Sequence, residues 1–208
     1  MYRKSINKIL LPVGKQHQLY MKYIKWSFLS NIFVSTQTAI VTDNMLYAIN
    51  YDSASIRSIN YIGKDIIGQI GSLLFLSKIG NQPDKNPKSF LLYSNIVQQS
   101  SLICVSLTPL FPVYFLPIAG LSNILSTLSF TGFGAINAKC IGKLSTGGNI
   151  GELYSKITII NTIGSSIGLL LGLGINIMIP DHQERALLIP LIGLMKVYTY
   201  NKAIENLL

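Results

Sequence analysis

From Ile163 to Ile179 the chain runs seventeen residues without a charged side chain, and Gly164, Gly168 and Gly172 recur within that run at every fourth position. So long an apolar stretch forms a helix that is buried in protein or lipid, and the spacing of four aligns the glycines as a helix-packing ridge where another backbone can come close. This segment sets the class of the whole chain, because five more apolar segments accompany it. The six cover about residues 27–49, 58–77, 89–108, 113–136, 157–179 and 186–200, each measured against the roughly 20 residues that cross a hydrocarbon core. Only 12% of the 208 residues are charged, against roughly a quarter in soluble domains. The fold expected is all-α, a polytopic helical membrane protein with about six transmembrane helices.

The segments differ in quality. The first carries Ser30, Asn31, Ser35, Thr36, Gln37 and Thr38 before Asp43, so one side of it must face protein or water. The third and fourth meet at Pro109-Leu110-Phe111-Pro112, where prolines stop one helix and start the next. The sixth is short and holds Pro190 and Lys196, which makes it a tilted span, an incomplete one or a re-entrant piece. Placing the basic residues tests the drawing independently. Fourteen of the seventeen Lys and Arg fall on one side of a six-span alternation, and only Arg57, Lys64 and Arg185 fall on the other. That asymmetry predicts a multi-pass membrane location with both termini cytosolic. The chain then divides into a cytosolic N-terminal segment (1–26), a helical membrane domain (27–200) and a short cytosolic tail (201–208).

Chemistry is sparse. Asp65, beside Lys64 near the start of the second span, is the most informative charge, since a carboxylate in or near a bilayer must pair or line a cavity. It reads either as a ligand or ion-path contact or as an acid favoured at a helix N-terminus with Lys64 reaching to water. Asp43 and Gln37 in the first span are the other ligand-path candidates. Gly68 and Gly71, one turn apart, are packing positions. The turn containing Asp84, Pro87 and Lys88 suits either a cytosolic loop or an anion or lipid-headgroup contact. Ser145 to Asn149 is glycine-rich, yet it lacks the Lys-Ser/Thr ending of a phosphate loop.

Two cysteines and two well-separated histidines form no readable metal site, and no nucleophile elbow or paired-carboxylate set appears. The expectation is a protein that is not an enzyme and needs no cofactor or metal. The net charge of +9 is clustered between apolar runs rather than interleaved with aromatics, which argues against a nucleic-acid partner.

Several blocks resemble the root UVB sensitive family, whose shared domain is named for vitamin B6 photoprotection and homeostasis. Leu11-Pro12-Val13-Gly14 is similar to the family's opening, and Tyr20, Tyr23 and Trp26 keep its Tyr-x-x-Tyr-x-x-Trp spacing. Lys64-Asp65-x-x-Gly68-x-x-Gly71-x-Leu73-Leu74-Phe75 resembles its Arg-Asp centre, followed by Asp84-x-Asn86-Pro87-Lys88 and by Leu107 to Pro112. The departures are Ile66 for a Gly, Asn137 for an Arg, Lys143 for a His and Ile157 for a Glu. The chain is therefore identified as a short, divergent member. What the resemblance implies is a role in vitamin B6-related or small-solute homeostasis, with a vitamer as the solute and the lipid bilayer as its surroundings. The span count also resembles one half of a major-facilitator-type bundle. The alternative is a non-transporting scaffold, a homo-oligomer or an assembly with a paralogous family member, joined through the Gly164/Gly168/Gly172 ridge.

Overall fold

The computed structural model describes residues 17–50, 53–79, 82–145 and 148–208, and among these no strand occurs. Six long helices follow in order: α1 (His17–Ala48), α2 (Ala54–Ile79), α3 (Pro87–Ser106), α4 (Phe115–Leu144), α5 (Ile150–Met178) and α6 (His182–Ile204). A one-turn helix, Gln82–Lys85, precedes α3, and two 3-10 turns, Thr108–Leu110 and Pro112–Tyr114, join α3 to α4. Proline punctuates these joints as expected. Pro87 takes the first position of α3, where its missing N–H costs nothing, and Pro109 and Pro112 each open a 3-10 turn. Asp181 starts α6 by accepting from the Gln183 backbone N–H at 2.8 Å. Gly148, with φ of 87°, turns the chain between α4 and α5 in a conformation that side chains resist.

The helices assemble as two groups of three. In one, α1 lies between α5 and α6; in the other, α4 lies between α2 and α3. The groups join chiefly where α1 and α6 meet α3. An apolar core closes one end, where Tyr20 and Tyr23 of α1 meet Ile136 and Cys140 of α4, Leu153 of α5 and Ile204 of α6. A smaller cluster at the other end joins Met45 and Ala48 of α1 to Phe115 and Ala119 of α4. The outer faces of α2 and α5 carry exposed Ile62, Ile70, Leu73, Leu170 and Ile177.

Among the described residues, three stretches are long and apolar enough to cross a membrane: Pro87–Leu110, Pro112–Leu144 and Ile150–Met178. The helices α1, α2 and α6 are long enough but more polar, and for α1 the reason is internal. Ser27, Ser30, Ser35, Thr36, Gln37 and Asn44 of α1 are all buried against neighbouring helices. Asn31 and Thr38 donate to carbonyls one turn back, Ser27 at 2.9 Å and Val34 at 2.9 Å. The sixth segment is one continuous helix of 23 residues with Pro190 inside it. The division drawn at residue 26 falls within α1, whose Tyr20 and Tyr23 are core residues, and the tail drawn from 201 includes the end of α6 and buried Leu207. The Leu11–Gly14 block and the basic residues before His17 lie outside the described residues.

The glycine ridge of α5 is filled by the chain itself. A Cβ at Gly164 would press on the Phe28 carbonyl, one at Gly168 on the Ile32 carbonyl and the Ser35 side chain, and one at Gly172 on Ala39 and the Thr36 carbonyl. Thr36 donates across the same seam to the Gly168 carbonyl at 3.1 Å, and Asn176 to the Ala39 carbonyl at 3.2 Å. Within the chain the ridge is therefore the seat of α1.

Candidate functional site

The most polar part of the interior runs along the seam between α1, α3 and α6. Its centre is Lys196 of α6, 2% exposed. The ammonium donates to Asn95 Oδ1 and Gln98 Oε1, both at 2.6 Å, and sits 3.9 Å from the centroid of the Phe133 ring and 5.5 Å from that of Tyr200. Amide oxygens and aromatic faces can hold a cation. Among the described residues no carboxylate pairs with it. Protonated, this amine is a positive charge that its own walls leave uncompensated.

Around Lys196 the polar groups are tightly bonded. Gln37 of α1 donates to Gln99 Oε1 and to the Ile189 carbonyl, each at 2.8 Å. Gly193 makes room for that pair, since a Cβ there would meet both amides. On the other side of Lys196, Asn137 of α4 accepts from Tyr200 at 2.7 Å and from Tyr23 at 3.3 Å, tying three helices together. Asn137 stands where the resemblance places an arginine in relatives; here the position serves as an acceptor between two tyrosines.

At the far end of α1 the seam closes on a second charged group. Arg185 of α6, 2% exposed, bonds Asp43 Oδ2 through Nη1 at 2.5 Å and touches His182 Nδ1 through Nη2. The His182 ring lies on Tyr47 with centroids 3.6 Å apart. Asn44 donates to the Ser106 and His182 carbonyls at 3.3 Å each. Arg185 Nε and Asn44 Oδ1 are buried without a hydrogen-bond partner among the described residues. Burial, then the Arg185 charge, lowers the His182 pKa from 6.5 and outweighs Asp43 and Asp181, so the imidazole is held neutral.

Asp65 and Lys64 sit elsewhere, between α2 and α4. Lys64 Nζ bonds Asp65 Oδ1 at 2.7 Å and lies 4.2 Å over the Tyr61 ring, while Asn123 donates to Asp65 Oδ1 at 2.8 Å and to the Lys64 carbonyl at 3.2 Å. The helix starts at Ala54, so Asp65 lies in its interior and a stabilising helix N-terminus is not what holds it. Gly68 and Gly71 receive the side chains of Asn123 and Ile124, so the motif knits α2 to α4. Because the Asp65 side chain is 45% exposed, Asp65→Asn is expected to lower stability by less than about 1 kcal/mol. Thermal unfolding in detergent checks this; a loss of several kcal/mol would mean that the pair is essential to the α2–α4 contact.

Of the residues singled out from the sequence, Gln37 and Asp43 lie on the seam and Asp65 does not. Asp84 and Pro87 stay in the α2–α3 turn, where Lys139 of α4 reaches the Asp84 carbonyl at 3.3 Å. Lys88 lines a cleft at the end of the α3/α6 interface. Sequence reasoning missed Lys196, Asn95 and Gln98. Their signal was present as a polar stripe with steps of three and four in the third segment, facing a lysine in the sixth.

Comparison with known proteins places this geometry in context. Residues 1–207 match the family described as the vitamin B6 photo-protection and homoeostasis domain. The chain is 27% identical over 177 residues to root UVB sensitive 4 of Arabidopsis thaliana, covering 83% of this chain and 34% of that protein. It is 27% identical over 174 residues to root UVB sensitive 5 (78% and 33%) and 22% identical over 205 residues to the chloroplastic root UVB sensitive 2 (96% and 47%), both from the same plant. The chain thus spans between about a third and a half of the length of these relatives. No solved structure matches.

Proposed function

The chain belongs to the root UVB sensitive family, defined by the vitamin B6 photo-protection and homoeostasis domain, and from that membership and the polar seam we propose that it is a membrane-integral protein that binds or carries a small anionic solute, a vitamin B6 vitamer. In this reading all six helices cross the bilayer, both termini face the cytosol, and the bundle resembles one half of a major-facilitator-type fold. The observation that carries the proposal is Lys196. An ionisable side chain inside a helical membrane bundle is costly unless it serves a ligand or ion path. Here the ammonium is held by neutral groups, so an anion arriving in the seam gains a charge partner without displacing an internal one. Membership of the family directs the choice of solute, and the geometry directs the choice of residue, from Asp65 to Lys196.

The test is uptake of labelled pyridoxal 5′-phosphate, the anionic vitamer, into liposomes containing the purified protein, with net-neutral pyridoxine as the comparison. Saturable uptake is expected, reduced at least about tenfold in Lys196→Met, the scale of a lost charge-assisted contact, and partly kept in Lys196→Arg. Absence of uptake by folded, inserted protein, or full uptake by Lys196→Met, overturns the proposal. A second reading, a non-transporting scaffold, is favoured by the outward apolar face of α2, with Ile59, Ile62, Ile66 and Ile70 all exposed. A partner chain would cover that face, so Ile62→Lys with Ile66→Lys would shrink the particle in detergent if the scaffold reading holds.

A further inference from the structure

At the open end of the α3/α6 interface lies a cleft of about 400 Å³. Lys88 and Leu91 of α3 form one side, and Tyr198, Asn201, Lys202 and Glu205 at the end of α6 form the other. We propose that this cleft is a binding site for a small organic anion, a phosphate or carboxylate on a flat apolar body, and that it is the mouth of the path to Lys196. The path inward rests on the function proposed above; the cleft itself stands on its own chemistry.

The charge balance favours an anion. Both oxygens of the Glu205 carboxylate are already engaged, Oε2 by Lys22 and Oε1 by Lys202, each at 3.1 Å. Lys88 forms no ion pair among the described residues. Lys88 and Lys202 thus line the cleft with one side-chain carboxylate, and Lys22 holds the other oxygen of that carboxylate from outside the lining. The rest of the lining suits a flat body. Leu91 is buried, while the Tyr198 ring is 57% exposed and braced edge-on by Trp26 at 6.0 Å.

The face of α3 that lines the cleft continues toward Lys196. Lys88, Leu91, Asn95 and Gln98 follow one another at steps of three and four on α3, so they share a face. Lys88 at the mouth and Asn95 beside Lys196 are seven residues apart, roughly 10 Å along the helix. Buried Leu91 stands between the cleft and Lys196, so an anion passing inward has to displace that side chain.

A phosphate group reaches such a site either on a soluble molecule or on a lipid headgroup, and the experiment separates the two. Trp26 is the single tryptophan of the chain, and its contact with Tyr198 makes its fluorescence a reporter of the cleft. In phosphatidylcholine nanodiscs, phenyl phosphate is expected to change that fluorescence saturably and benzyl alcohol is not. High salt weakens the response. Lys88→Gln weakens it at least about tenfold, Lys88→Arg keeps it, and Lys139→Gln at the same end leaves it unaltered. If the recognised anion is a lipid, adding phosphatidylserine produces a Lys88-dependent change that phenyl phosphate competes away. The proposal is overturned if neither probe gives a saturable response, or if Lys88→Gln responds as the unaltered protein does. A Lys88-dependent response without uptake overturns the transport reading alone. Lys196-dependent uptake without any response overturns the cleft alone.

Discussion

Gly168→Leu is expected to unfold the chain rather than to separate it from another one. The α1 and α5 backbones are in contact at this residue: a Cβ alone would press on the Ile32 carbonyl and the Ser35 side chain, and the Thr36 hydroxyl reaches the Gly168 carbonyl at 3.1 Å. A leucine adds an isobutyl group where no free volume exists, so the helices must part, and Thr36→Gly168 and Asn176→Ala39 are lost with the close approach. Overpacking of a tight interior costs about 1–3 kcal/mol and more where backbone must move. Two lost interhelical hydrogen bonds add about 1 kcal/mol. A drop of at least about 3 kcal/mol follows, read as a large fall in thermal unfolding temperature in detergent at unchanged particle size. Gly174→Ala is the matched control, because nothing lies within 4 Å of a Cβ there; it should be neutral or gain a few tenths of a kcal/mol from helix propensity. A stable Gly168→Leu protein of reduced particle size would return the ridge to an intermolecular role.

The contrast between ridge and seam shows what was legible in the sequence. Glycines spaced by four declare that a backbone comes close, but the spacing is silent on whose backbone it is. The answer was on α1, in the small and hydroxylated Ser35, Thr36 and Ala39 that meet the ridge. Helix number was legible because each apolar segment is bounded by proline, glycine or charge. Span number is less legible, because the polar residues of α1 and α6 serve internal partners and lower the mean hydropathy of those helices. The weight placed on Asp65 came from the cost of a carboxylate in or near a bilayer, which must pair or line a cavity. Adjacent residues on a helix point in different directions, and here they instead join each other and Asn123 at the α2–α4 contact. Lys196 counted against the sixth segment for the same reason that it matters in the fold, since its partners Asn95 and Gln98 are about a hundred residues away and only the packing brings them together.

The largest electrostatic effect is expected at Asp43. Its carboxylate is the charge partner of Arg185, 2% exposed, while the Asp43 side chain itself is 46% exposed. Removing the carboxylate therefore leaves the costly member of the pair inside: a guanidinium bonded only to neutral groups, with Nε already lacking a partner among the described residues. Asp43→Asn keeps size and an acceptor oxygen but not the charge, and a loss on the order of 3 kcal/mol is expected from uncoupling a buried ion. Arg185→Met in the Asp43→Asn background removes the stranded charge and should recover most of that loss, as a double-mutant cycle would record. The pH dependence gives an independent sign. His182 is held neutral in the folded chain, with its pKa below the ordinary 6.5, so the unfolded chain binds more protons in the window below 6.5. Stability therefore falls as the pH drops from 6.5 toward the lowered folded value. Asp43 is one of the two groups that oppose that lowering, so Asp43→Asn should extend the acid-sensitive window downward, and Arg185→Met should narrow it. Equal stability of Asp43→Asn and the unaltered protein, with the same acid limb, would mean that the Arg185 charge is compensated by water rather than by Asp43, and that this end of the seam is open to solvent.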